Sequence, residues 1–124
     1  MATYTPESVH SAPAAADLSG NQYCFMVLNG SSEAALCGAG QRAHGVISNL
    51  PEQGEQCRYD KLGPQATLKV RGGAAIPKNT EVSSDAQGRM KAAVAGEHIL
   101  GITFDAAVTG AITRFIPEYR GVKA

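Results

Sequence analysis

Hydrophobic and polar positions along this chain alternate with the period of a β-strand more often than with that of a helix. The clearest case is "ATLKVR" (Ala66–Arg71), where Ala66, Leu68 and Val70 fall on one side and Thr67, Lys69 and Arg71 on the other. Period two with one apolar side predicts a half-buried antiparallel strand. "QYCFMVL" (Gln22–Leu28) is instead continuously apolar and lies between Gly20-Asn21 and the turn dipeptide Asn29-Gly30. Its length and flanks predict a fully buried strand. "ILGITF" (Ile99–Phe104) alternates again. It predicts Leu100, Ile102 and Phe104 on one side, Ile99 and Thr103 on the other, with Gly101 marking a bulge or a close backbone approach.

Shorter strands are predicted in "EAALCG" (Glu33–Gly38), "AHGVISN" (Ala43–Asn49), "CRYDKLG" (Cys57–Gly63), "TEVSS" (Thr80–Ser84) and "AITRFIP" (Ala111–Pro117). "RMKAAVAGEH" (Arg89–His98) holds good helix formers. It is short, uncapped and interrupted by Gly96, and so reads as a strand leaving a turn. That turn is "DAQG" (Asp85–Gly88), with Asp first and Gly fourth as a type I turn prefers. Upstream, Gly72-Gly73 permits a sharp bend and Pro77 opens a turn through Lys78-Asn79. Fourteen glycines and about eight short strands predict a mainly β fold, a compact antiparallel sandwich or barrel.

The ends read differently. Residues 1–20 are rich in Ala, Ser, Thr and Pro and carry neither period. They predict an extended N-terminal arm, either a poorly ordered terminus or one that orders on a partner as an added strand or a clip. The β-rich domain is expected over residues 21–117, and "EYRGVKA" (118–124) reads as a polar tail.

Length adds that one domain with its own core is expected from 124 residues. No stretch approaches a membrane span, and the N-terminus lacks the basic start and apolar run of a signal peptide, so synthesis in a cytoplasm is expected. Eleven basic residues balance eleven acidic ones. Residues 1–62 carry three basic and six acidic side chains, net −3, and residues 63–124 eight and five, net +3. Lys69–Arg71 and Arg89–Lys91 are too sparse for a nucleic-acid surface, but opposed halves suit side-by-side packing of copies.

Candidate chemistry is thin. Cys24, Cys37 and Cys57 are odd in number and lack CxxC spacing, which predicts reduced core residues. With His44 they are separated by 12, 6 and 12 residues, which matches no compact zinc pattern. Asp85, Gln87 and Gly88 echo a calcium loop but lack its acidic final ligand, leaving a hairpin turn. His10, His44 and His98 are the candidate bases, yet no nucleophile elbow, phosphate loop or paired-carboxylate motif accompanies them. The expectation is a non-enzymatic protein without cofactor or metal. The alternative function is a small β-barrel binding module for a carbohydrate or peptide. Only seven aromatic residues and no Trp are present to stack on sugars.

Three phrases carry a further signal: "GQRAHGVISNLPEQGE" (Gly40–Glu55), "GGAAIPKNTEVSSDAQGR" (Gly72–Arg89) and "GEHILGITFDAAVTGAITRFI" (Gly96–Ile116). In this order, with "ADLS" (Ala16–Ser19) before an aromatic strand, the chain resembles the small capsid decoration, or cement, proteins of tailed bacteriophages over residues 16–117. It departs from their pattern at Asn79, where they often place Gly, and in "LGITFDAA" (Leu100–Ala107), where the first Ala of a Leu-Gly-x-Ala step is replaced. The resemblance implies a virion protein on the outer capsid surface that bridges neighbouring major capsid proteins and often forms a homotrimer. On that reading the arm residues Tyr4, Thr5, Pro6 and Val9 are candidate capsid contacts, with Tyr119 and Arg120 from the tail, since aromatic and Arg side chains are favoured at interfaces.

Overall fold

A computed structural model describes residues 9–63 and 67–124 of the chain. Ten strands follow one another: β1 (Val9–Pro13), β2 (Phe25–Leu28), β3 (Ala34–Leu36), β4 (Gly45–Ile47), β5 (Gln56–Lys61), β6 (Leu68–Arg71), β7 (Glu81–Ser84), β8 (Met90–Ala92), β9 (Gly101–Thr103) and β10 (Ile112–Pro117). They form two five-stranded antiparallel sheets, ordered β1-β5-β4-β2-β3 and β6-β10-β9-β7-β8. The first half of the chain therefore makes one sheet and the second half the other. The sheets face each other as a sandwich and neither closes into a barrel, although single parallel bridges join Ala14 to Ala34 and Gly72 to Met90 near their outer strands. No helix long and apolar enough to cross a membrane occurs among the described residues.

The main core lies between the sheets. Phe25, Val46 and Cys37 from the first sheet and its loops meet Leu68, Val70, Val82, Met90 and Phe115 of the second. At its centre the Phe25 and Phe115 rings meet edge to face, 5.5 Å apart and at 90°. Each fully buried ring contributes about 1.5–3 kcal/mol of transfer free energy, and their mutual geometry adds about 0.5–1.5 kcal/mol. The residues next in sequence to Phe25 and Val46 point the other way. Met26 and Ile47 join Ala12, Ala14, Leu18, Ala34, Cys57 and Tyr59 in a second cluster. This explains the unbroken apolar run at 22–28: Phe25 and Met26 are both fully buried, on opposite faces of β2.

Backbone hydrogen bonds tie the halves together. Arg71 N–H donates to Tyr23 O (2.7 Å), Phe25 N–H to Gly88 O (2.6 Å), Gly40 N–H to Ser84 O (2.9 Å) and His98 N–H to Gly40 O (3.1 Å). Gly40 has φ 69°, and a Cβ there would come within 2.9 Å of Glu97 Cγ. The expected turn at Asp85–Gly88 closes the β7–β8 hairpin. Gly88 N–H reaches Asp85 O, and Asp85 Oδ1 accepts from the amides of Gln87 and Arg89.

Three features refine the expected pattern. In "ILGITF" the two sides separate within β9 as expected, with Gly101 and Thr103 inward and Ile102 outward, and Phe104, beyond the strand end, is 43% exposed; Leu100, expected on the side of Ile102, is instead buried in the main core. Thr103 tolerates burial because its hydroxyl donates to Pro77 O (2.7 Å) and accepts from Thr80 N–H (3.0 Å). Gly101 faces inward because only a residue without a Cβ fits between Phe115 and the Ile116 carbonyl. Second, the sheet begins at Val9, inside the segment read as an arm. β1 pairs with β5 in the register Val9–Asp60 to Pro13–Gln56, and Ala12, Ala14 and Leu18 are buried. The driving force is apolar: small side chains at 12 and 14 fill the second cluster. Third, residues 118–124 are laid against residues 96–100. Ile99 N–H donates to Gly121 O, Gly96 N–H to Lys123 O and Lys123 N–H to Glu97 O.

The close approach at Gly101 generates a test. Gly101→Ala is expected to destabilise the protein by about 2–3 kcal/mol through forced repacking of β9 on β10. Gly30→Ala, at an exposed position where a Cβ would meet nothing, is expected to change stability by less than about 0.5 kcal/mol. Urea unfolding of both variants decides; equal midpoints would refute the packing argument.

Candidate docking surface

The outer face of the second sheet and its adjoining loop expose Phe104, Val108 and Ile112. Register places Ile112 beside Arg71, Lys69 beside Arg114, and Ile116 beside Ile102. At the end of β9, Phe104 continues the Lys69–Arg114 row. The Arg114 guanidinium lies over the Phe104 ring at 4.7 Å and pairs with Asp105 at 2.9 Å. Both members of that ion pair are about half exposed, so it contributes at most about 1 kcal/mol and acts mainly to orient Arg114. Ile112 and Arg114 border a groove of about 500 Å³ with Tyr23, Lys69, Asp105 and Ala106. Val108 on the adjoining loop is 61% exposed.

That loop is rigidly mounted. Ile76 and Ala107 exchange backbone hydrogen bonds of 3.0 and 2.7 Å, and Gly72 donates to Ala111 O and accepts from Gly110 N–H. A Cβ at Gly72 would lie 2.6 Å from Val108 O, so "GGAAI" serves as the seat of the β9–β10 loop. The groove wall is strained. Tyr23 has φ 65°, a region that costs a bulky residue about 1–3 kcal/mol. It is held there by its amide bond to Ile47 O (2.6 Å) and by the Arg71 amide on its carbonyl.

The C-terminal segment forms a second constellation. The Tyr119 ring stacks on His98, with centroids 5.8 Å apart, and its hydroxyl shares a 2.7 Å hydrogen bond with His98 Nδ1. Arg42 from the first half sits over the same ring at 3.9 Å. Arg120 donates to Glu118 (3.0 Å) and Glu81 (3.3 Å), and Lys123 donates to Glu81 (2.8 Å). The hydrogen bonds from Lys123 and then Arg120 hold the Glu81 carboxyl below its ordinary pKa. Nearby, burial pushes Glu97 up, but donors from Lys91, Val94 and Ser83 on one carboxylate oxygen outweigh it and leave its pKa lowered.

Of the residues expected to meet a capsid, Tyr4, Thr5 and Pro6 lie outside the described residues. Val9 opens the edge strand β1. Tyr119 and Arg120 lie together on the C-terminal segment, already engaged by their own chain. Lys69, Phe104, Val108, Ile112 and Arg114 were not among the expected capsid contacts. Only the register of β6 on β10, and the end of β9 before Phe104, place most of them on one face.

The groups with reactive potential are dispersed. Cys24, Cys37 and Cys57 are buried and free; Cys37 lies in the main core and Cys57 in the second cluster. Burial raises all three thiol pKa values, that of Cys57 to about 11. His44 is exposed, and its Nδ1 accepts the Leu28 amide at 3.0 Å. No group of three or more His, Cys, Asp or Glu able to hold a metal ion occurs among the described residues.

No family model matches the chain, and no curated protein matches it in sequence. Its fold is similar to a solved structure, the head fiber gp8.5 N base of bacteriophage phi29. The TM-score is 0.74 at 12% identity, over 94% of this chain and 98% of that one. That neighbour is a phage head protein, the class toward which the three sequence phrases pointed.

Glu81 makes the C-terminal clasp pH-dependent. Its folded-state pKa is depressed, so the contribution is complete above the unfolded value near 4.5 and is lost as pH falls through the folded value. Amide exchange at Ile99 and Lys123 is expected to accelerate below that range, and in Glu81→Gln at neutral pH, without global unfolding. Unchanged protection in both cases would show that Glu81 does not hold the segment.

Proposed function

We propose that the protein is a structural component of a bacteriophage head. It sits on the outer surface of the assembled shell and stabilises the shell by bridging neighbouring major capsid proteins, as a homotrimer. The observation that carries this reading is the fold shared with the phi29 head fiber base over nearly the full length of both chains. The order of the three decoration-like phrases in the sequence supports it.

The mechanism is thermodynamic rather than catalytic. A protein that binds only the assembled shell shifts the assembly equilibrium by mass action. Several weak contacts per trimer multiply through effective concentration. The sandwich suits that task. Its exposed apolar groups stand on a face whose loop is fixed by backbone pairs, so little conformational entropy is lost on docking. Phe104, Val108 and Ile112 supply apolar contact, and Arg114 and Lys69 supply charge. The arm residues Tyr4, Thr5, Pro6 and Val9 add grip, as do Tyr119 and Arg120, carried on a C-terminal segment fixed by its backbone bonds. The opposed net charges of the two halves, one per sheet, favour lateral packing of copies.

Co-sedimentation with empty shells of the cognate phage tests the proposal. The full chain is expected to pellet with shells and raise their melting temperature. Phe104→Glu with Ile112→Glu is expected to abolish pelleting while leaving the unfolding midpoint nearly unchanged, since both side chains are exposed. Removal of residues 1–8 is expected to weaken binding about tenfold. A chain that stays monomeric at high concentration and never pellets with shells would end the proposal.

A further inference from the structure

A second groove lies where the two halves meet, lined by Gly20, Asn21, Cys24, Arg71, Gln87 and Arg89. Two guanidinium groups from separate strand ends border one hollow. Their donors are underused. Arg71 gives one hydrogen bond, from Nη1 to Gly110 O at 2.8 Å, and has no acidic partner among the described residues. Arg89 gives one, from Nη2 to Gln87 Oε1 at 3.3 Å, and forms an ion pair with Asp85 Oδ2 through Nε at 3.4 Å. The Nε atoms of both are buried without a hydrogen-bond partner. Buried polar nitrogens are ordinarily satisfied, and two unsatisfied ones on cations beside one hollow are uncommon.

The local charge is positive, since Arg71 and Arg89 outnumber Asp85. Both cations pull down the pKa of the Cys24 thiol, which burial raises. Asp85 is moreover occupied by its own turn, accepting the amides of Gln87 and Arg89. A guanidinium presents a planar fork that matches two oxygens of one anion. The Asn21 and Gln87 amides at the rim offer further neutral donors.

From this geometry we infer that the Arg71–Arg89 groove is a binding site for an oxyanion, a carboxylate or a phosphate group. The anion bridges the two guanidinium groups and thereby cross-links β6 of the second sheet to the β7–β8 turn. The inference does not depend on attachment to a shell, and its test uses the isolated protein.

The arginine Nε–Hε resonances of the full chain report directly on both side chains. They are titrated with inorganic phosphate, and separately with a pentapeptide carrying two glutamates, against sodium chloride at matched ionic strength. The Arg71 and Arg89 resonances are expected to shift together and to saturate with phosphate, with the peptide or with both, and not with chloride. Tighter saturation by phosphate assigns the site to free phosphate, and tighter saturation by the peptide assigns it to acidic side chains. Arg89→Gln and Arg71→Lys are each expected to weaken binding about tenfold while leaving the remaining amide spectrum in place. Shifts that grow linearly without saturation, or that chloride reproduces, overturn the inference. So does an affinity unchanged in both variants.

Discussion

The contact between Phe25 and Phe115 is the constraint around which the molecule is arranged. The two rings lie on strands from opposite halves of the chain, and their edge-to-face packing sets the separation of the sheets. Each ring makes demands on its surroundings. Phe115 leaves no space for a side chain at position 101, so β9 presents a glycine inward and turns its larger residues out. Phe25 donates its amide to the β7–β8 turn and accepts from Cys37, so its backbone is fixed as firmly as its ring. Once those are set, Met26 and Ile47 must point away from the main core, and the small residues of β1 and the segment after it cover them.

That arrangement fixes the surfaces. Because Thr113 and Phe115 point inward along β10, Ile112, Arg114 and Ile116 point outward beside Lys69 and Ile102. Because the "GGAAI" segment pairs with the β9–β10 loop, Val108 is carried on a fixed backbone. Division of the sheets by chain halves also turns the charge asymmetry of the sequence into a spatial one among the described residues, with three basic and five acidic side chains over 9–62, net −2, and eight and five over 67–124, net +3. A body with opposed charge on its two layers and apolar groups on one outer face has orientation built into its electrostatics.

Polar groups near the surface are tied down locally. Glu97 gathers three donors on one oxygen, and Glu81 binds two basic residues of the C-terminal segment. The Arg71 and Arg89 guanidinium groups are the contrast, since most of their hydrogen-bonding capacity is left unused beside a hollow. The strained backbone of Tyr23 lies between this hollow and the groove near Arg114. The carbonyl of Tyr23 receives the Arg71 amide, so the two surface features share one hinge of backbone.

Local pattern determined the all-β character, the turn at Asp85–Gly88, the doubly buried strand at Phe25–Met26 and the alternation of Leu68, Lys69 and Val70. These follow from side-chain period and turn chemistry within a few residues, which need no distant partner. The burial of the three cysteines was equally legible from their apolar neighbours. Other features waited on tertiary contacts. Which side of "ILGITF" faces the core was decided at Gly101, which is placed by Phe115 and Ile116, residues a strand away. Val9–Pro13 became a sheet strand because β5 and the second cluster offered pairing and burial that its own composition does not signal. Tyr119 and Arg120 read as interface candidates; that Arg42, His98 and Glu81 hold them in place depends on contacts between segments distant in sequence. Arg71 and Arg89 lie eighteen positions apart and border one hollow because the Gly72–Met90 bridge, with backbone bonds to Tyr23 and from Phe25, draws the β6 end and the β7–β8 turn together. Sequence fixes what each short segment prefers; proximity between segments is a property of the packed core, and the candidate sites of this protein are made of proximity.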